Sequence, residues 1–201
     1  MLMLSRTSSS FNYVITYILR CAVVNDRENL ILINESVICS GKRVSLIQKT
    51  YLHEGRVVLR DVVRFGEAVA ILPVKDDGRV VLVNQFRVPV NGWVLEVPAG
   101  KVEAGEDLIN AARRELREEV GYEAGELIKV ASVYTAPGYS DEILHIFLAK
   151  KLRFVGASPE PGEIVKTIEL RVDEALETLL KSEYVDAKTL LAVLLLKTLR
   201  P

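Results

Sequence analysis

The stretch Gly100–Tyr122, GKVEAGEDLINAARRELREEVGY, decides how the chain is read. Its second half has the spacing of a helix of roughly four turns. Glu115, Glu118 and Glu119 stand three and four residues apart, so their carboxylates share one side. Ile109, Leu116 and Val120 fall on another stripe, which is expected to be buried against a sheet. Like charges at this spacing repel, each pair costing a few tenths of a kcal/mol. Arg114 and Arg117 relieve part of that cost, and a divalent cation relieves it better. Clustered hard oxygens suit Mg²⁺ or Mn²⁺, which they bind together with a substrate's phosphate oxygens. A merely solvated acidic face is the competing interpretation. The frame around the glutamates decides between the two.

That frame runs Gly100, five residues, Glu106, seven residues, then Arg114-Glu115-Leu116-Arg117-Glu118-Glu119-Val120-Gly121-Tyr122. It resembles the Nudix box of the Nudix hydrolases, with Tyr122 standing where the family usually has an aliphatic residue. The resemblance implies an α+β fold, an α/β/α sandwich around a mixed sheet. That sandwich is expected over residues 65–201, with a small N-terminal antiparallel β subdomain at 35–64 and an extension at 1–34. The subdomain looks like that of the ADP-ribose pyrophosphatases, where it is exchanged between the subunits of a homodimer.

Working outward, 201 residues suffice for one domain of ordinary size with a substantial core. The 26 basic and 27 acidic residues leave no basic excess of the kind nucleic-acid binding requires. Cys21 and Cys39 are too few for a disulfide scaffold and lack metal-ligand spacing, so a cytoplasmic enzyme is the expectation. Apolar content of 49%, concentrated at the chain ends, suggests a buried subunit interface. The apolar run before residue 30 is interrupted by Arg20 and is too short for a membrane span. No clear cleavage site marks it as a signal peptide, and translation starting further in is an alternative. No membrane association is expected.

β-rich patterning predicts strands over Arg43–Leu52, Arg56–Arg64, Glu67–Val74, Arg79–Phe86, Trp93–Val97, Glu126–Thr135, Glu142–Leu152 and Val165–Arg171. Turns are expected at His53-Glu54-Gly55 and Asp76-Asp77-Gly78. Asp173 and Asp186 are expected to cap two closing helices. Arg153–Glu163 is polar with Pro and Gly, a mobile loop by composition.

The resemblance also assigns roles. Glu115 and Glu119 are implied metal ligands, Glu118 a ligand directly or through water, and the Ala99 carbonyl completes the site. Arg114 would orient the glutamates, and Glu106 would serve structurally near the helix start. Related ADP-ribose pyrophosphatases take a general base from a later loop, where Glu163 is the better placed candidate and Glu160 the second. Glu163, Glu160 and Glu118 thus form the catalytic group. Pro137 and Gly138 in TAPGYSDE, and LEVPAGKVE at Leu95–Glu103, are similar to that subfamily's segments. Arg87 matches its substrate-contacting arginine, and Glu142 would accept hydrogen bonds from the terminal ribose. Tyr51, Phe65 and Trp93 are candidates to stack on adenine, with core packing the competing role. His53 and His145 receive no chemistry.

The implied activity is Mg²⁺-dependent hydrolysis of ADP-ribose or another ADP-sugar to AMP and ribose 5-phosphate. Alternatives are a Nudix pyrophosphatase for NADH or GDP-mannose, or a sensing module that binds a nucleotide without cleaving it.

Overall fold

The computed structural model describes residues 30–158 and 165–199. Three sheets and three helices are formed among them. One sheet has the order β1–β2–β3, from Leu30–Ser40, Ser45–His53 and Arg56–Arg64. Contacts divide the chain into two compact units. The smaller holds Gln48–Arg60 and the described residues up to Ser36, and the larger holds Val37–Ile47 and the described residues from Asp61 onward.

The larger unit carries the other two sheets. β4 (Glu67–Pro73) lies between β7 (Ala99–Lys101) and β9 (Ile143–Phe154), and β8 (Tyr122–Tyr134) extends the far edge. β4 and β9 run parallel, while the other pairs in this sheet are antiparallel. β5 (Arg79–Arg87) is flanked antiparallel by β10 (Val165–Arg171) and β6 (Gly92–Glu96). Helix α1 is Leu108–Val120, α2 is Val172–Lys181 and α3 is Ala187–Leu199.

Period-two alternation explains the layering, because β4 and β5 are buried on both faces. Val69, Ile71, Val81 and Val83 pack with Ala111, Ala112, Leu116 and Val120 of α1. Their neighbours Ala68, Ala70, Leu72, Val80 and Leu82 pack with Val172, Ala175 and Leu179 of α2 and Ala192, Val193 and Leu196 of α3. One helix on one side of the strands and two on the other give the expected α/β/α sandwich around a mixed sheet.

Several local expectations need correction. β1 was not foreseen as a strand, and all eleven of its residues are exposed. Ala99–Lys101, which lies outside the expected strands, pairs with β4. β8 starts at Tyr122, where the left-handed Gly121 (φ 73°) turns the chain straight from α1 into register with β9. Ile109 is 48% exposed. The packed stripe of the helix starts instead at Leu108 and runs through Ala111, Ala112, Leu116 and Val120, which leaves Ile109 at its edge. α2 begins at Val172, so Asp173 lies inside its first turn, and Glu174 accepts the Arg171 N–H at 3.0 Å. Among the described residues no helix is long and apolar enough to cross a membrane. Glu160 and Glu163 lie outside the described residues, as does nearly all of the 1–34 extension.

Candidate active site

The site is built around α1. Asp107 precedes it in extended conformation and its Oδ1 accepts the N–H groups of Ile109 and Asn110, each at 2.9 Å. That supplies the cap such a helix needs. Gly121 closes the other end, its N–H reaching the Arg117 carbonyl at 3.0 Å.

Burying Leu116 and Val120 rotates Glu115 and Glu119 to the packed side, and both glutamates are buried. Glu118 keeps 32% of its side chain exposed. Arg114 ties the group together. Its Nε and Nη2 each donate to Glu106 at 3.0 Å, and Nη1 donates to Glu115 at 2.6 Å and to Glu118 at 3.3 Å. Nη2 also donates to the Lys101 carbonyl at 3.0 Å. The hydrogen bond to Glu106, followed by that to Glu115, raises the arginine pKa further. Arg114 in turn holds the Glu106 carboxyl below its usual range.

The glycine that opens the motif is required by a close approach. A Cβ on Gly100 would lie 1.9 Å from Glu115 Oε1 and 2.1 Å from its Cδ. The carboxylate therefore rests directly on the Ala99–Gly100 backbone. Gly105 serves differently, taking the left-handed conformation (φ 81°) ahead of the helix.

Ala99, Gly100, Glu115 and Glu118 line a cleft of about 600 Å³ together with Arg87, Glu142, Phe65 and Lys188. Six residues predicted from sequence are placed there or against it: Ala99, Arg87, Glu142, Glu115, Glu118 and Arg114. Glu119 lies buried one turn beyond Glu115. Glu142 is held by the Thr135 hydroxyl at 2.5 Å. Pro137 and Gly138 do not line the cleft. They sit in a turn where the Tyr139 and Ser140 N–H groups reach the Ala136 carbonyl, next to Asp141, which accepts the N–H groups of Phe65 and Gly66 at 2.7 and 3.2 Å. Of the three stacking candidates, only Phe65 lines this cleft, with the Lys101 ammonium 5.1 Å from its ring centroid. Trp93 instead packs edge-on against Phe86. His145 is buried between Ser132 and Glu67.

The donors suit a hard divalent cation. All are oxygens, and Glu115 lies in a cradle that only glycine leaves open. Among the described residues no three acidic or histidine side chains already converge on one point. Arg114 bonds Glu115 and Glu118 instead, and phosphate oxygens normally complete such a set.

Sequence reasoning missed Glu96 and Lys188. Glu96 is 2% exposed, receives Arg87 Nε and Nη2 at 2.7 and 2.8 Å, and also receives Lys188 Nζ. Burial works to raise the Glu96 pKa, but these cations outweigh it and hold the carboxyl below its usual range. The available signal was Asp186-Ala187-Lys188-Thr189, a polar first turn on an otherwise apolar helix.

Comparison with known proteins bears on the family and the fold. The family model for the NUDIX domain matches residues 64–193. An ADP-ribose pyrophosphatase of Bacillus subtilis (strain 168) is 40% identical over 159 residues, covering 78% of this chain and 86% of that protein. A methanol dehydrogenase activator of Bacillus methanolicus is 39% identical over the same length and the same shares. A crystal structure of an ADP compounds hydrolase superposes with a TM-score of 0.76, covering 85% of this chain and 93% of that one. At 21% identity it bears on the fold alone.

Proposed function

The chain belongs to the Nudix family, and from that premise we propose that it hydrolyses the diphosphate bond of ADP-ribose, giving AMP and ribose 5-phosphate. The observation that carries the reading is the single cleft lined by both Glu115 and Glu118 on α1 and Arg87 and Glu142 on other elements. In this reading Glu115, Glu118, Glu119 and the Ala99 carbonyl hold the divalent cation, taken to be Mg²⁺. A cation bound there neutralises phosphate oxygens and lowers the pKa of a water molecule.

The protein's own groups then have separate tasks. Arg114 keeps Glu115 and Glu118 in place and limits their mutual repulsion, the same carboxylates that would hold the cation. Arg87 presents the part of its guanidinium that Glu96 does not hold to the diphosphate, a permanently charged donor suited to phosphate oxygens. Glu142 accepts hydroxyl hydrogens of the terminal ribose, and the Pro137-Gly138 turn shapes that end of the substrate site. A water oxygen bonds to one phosphorus, the bridging P–O bond breaks, and the water proton passes to a glutamate. Glu163 is the first candidate for that proton acceptor and Glu160 the second.

The proposal extends to a cytoplasmic homodimer formed through the β subdomain at 35–64, preceding a catalytic domain at 65–201. The apolar side chains exposed along β1, among them Leu30, Leu32, Val37 and Ile38, support such an interface. No nucleic-acid or membrane partner is proposed. Sedimentation showing a monomer at micromolar concentration would remove the dimer.

The test of function is incubation with ADP-ribose, ADP-glucose, GDP-mannose and NADH in Mg²⁺, with products resolved by chromatography and Glu119→Gln as control. Selective AMP release from ADP-ribose, lost in the control, is expected. Cleavage of another substrate would keep the chemistry and overturn the substrate, whereas tight binding without cleavage would favour a sensing module.

A further inference from the structure

Glu96 ends β6 as a carboxylate almost fully removed from water, a placement that is costly unless cations compensate it. Two do. Arg87 of β5 gives it Nε and Nη2, and Lys188 of α3 gives it Nζ. Lys188 also donates to Asp186 Oδ1 at 2.9 Å. The other Asp186 oxygen accepts the Thr189 N–H at 2.9 Å and its hydroxyl at 2.6 Å. The Thr189 hydroxyl oxygen accepts the Val97 N–H at 2.8 Å. The first turn of α3 is thereby fastened to the end of β6 at Glu96 and at Val97 after it.

Arg87 and Lys188 both line the cleft. With Lys188 present, the two cations balance Glu96 and Asp186. Without it, Arg87 and Glu96 cancel each other, and Asp186 leaves a net charge of −1 beside the place where an anion must sit. Field strength at such short range inside a protein is large enough for one charge to govern ligand affinity. Resting on the reading that the cleft takes a nucleoside diphosphate, we infer that Lys188 is a positioning residue for substrate binding. It acts through Glu96, sharing that carboxylate so that Arg87 stays electrostatically available to the diphosphate. Arg87 spends only Nε and Nη2 on the pair, which leaves Nη1 outside it.

The experiment compares wild type with Lys188→Met, Lys188→Gln and Lys188→Arg, using ADP-ribose kinetics and calorimetric titration with α,β-methylene-ADP, a non-cleavable nucleoside diphosphate, in Mg²⁺. Met and Gln are each expected to raise KM and the analogue Kd about tenfold, with kcat within about twofold. Arg, which restores the charge, is expected to bring both constants back to within about threefold of wild type. If the Met variant does not fold, the Gln variant, whose amide still donates to Glu96, carries the test alone. Wild-type KM and Kd in the Gln variant, a loss confined to kcat, or no recovery with Arg would each overturn the inference. Two failures separate cleanly. A wild type that leaves ADP-ribose intact, yet binds the analogue in a Lys188-dependent way, defeats the substrate reading and keeps this one. A wild type that cleaves ADP-ribose, with variants indistinguishable from it, does the reverse.

Discussion

On the α1 side of the cleft one guanidinium, Arg114, gathers the carboxylates of Glu106, Glu115 and Glu118. On the side built from β5, β6 and α3, one carboxylate, Glu96, gathers the cations of Arg87 and Lys188. The charges are mirror images, but the settings differ. Arg114 and Glu118 keep 24% and 32% of their side chains exposed, whereas Glu96 keeps 3%. The Arg114–Glu118 pair, which water reaches, loses little when partners are exchanged, because exposed pairs are weak. The buried one is expensive to open, because removing one partner strands the other in low dielectric. In the proposed function, an adjustable acidic wall would suit carboxylates that hold a cation beside the substrate. A fixed cationic wall suits a group that only has to receive an anion.

The largest expected effect breaks the adjustable side. Glu115→Gln keeps the shape of the side chain and removes a charge that the proposed cation site would use. kcat/KM for ADP-ribose should fall about 10²- to 10³-fold, the range found when a single preorganised electrostatic group is lost. Thermal unfolding of the variant should stay close to wild type, since the change also relieves repulsion along α1. Next comes Gly100→Ala. The new methyl would occupy the position of the Glu115 carboxylate, 1.9 Å away, so the side chain must leave its cradle. Misplacement of a reacting group by about 1 Å costs on the order of 100-fold in rate. A steady-state assay giving more than a tenth of wild-type kcat would show that the cradle is not needed.

The same contrast explains what was legible in the sequence. Arg114, Glu115 and Glu118 lie within five consecutive residues of a single helix, where spacing alone predicts which side chains meet. The sheet strands were legible for a related reason, since β4 and β5 are nearly continuous apolar runs buried on both faces. Glu96 meets Arg87 across nine residues and Lys188 across ninety-two, through strand pairing and helix docking that no local pattern encodes. β1 was missed because Asn34-Glu35-Ser36 interrupts its apolar run, and because none of its residues is buried to give a period. Gly100 was legible as the glycine that opens the motif, but its reason, the carboxylate lying over it, was not.

On the fixed side, Glu96→Gln removes the buried charge that two half-buried cations share. Unfolding free energy from urea titration should fall by about 2 kcal/mol, near the cost of leaving a charged group poorly satisfied. An unchanged midpoint would mean that Glu96 is not the keystone of that wall.

The smallest effect distinguishes the two walls by pH. Glu106 has its pKa held below the ordinary carboxyl value of about 4.3, through Arg114, and Glu96 likewise through Arg87 and Lys188 against the opposing effect of burial. In both cases the unfolded chain binds a proton at a pH where the native protein does not, so stability rises with pH across that window. The contribution is complete above the unfolded value and disappears as pH falls through the lower native value. Melting curves from pH 6 to 3 should therefore show wild type losing stability fastest below about pH 4.5. Glu106→Gln and Glu96→Gln should each be shallower there, with their gaps to wild type closing as acid protonates the carboxyl. The gap should close at a lower pH for whichever carboxyl is held down further. Curves for a variant that run parallel to wild type throughout would mean that its carboxyl titrates alike in the folded and unfolded chain, and that the charges around it do not set its ionisation.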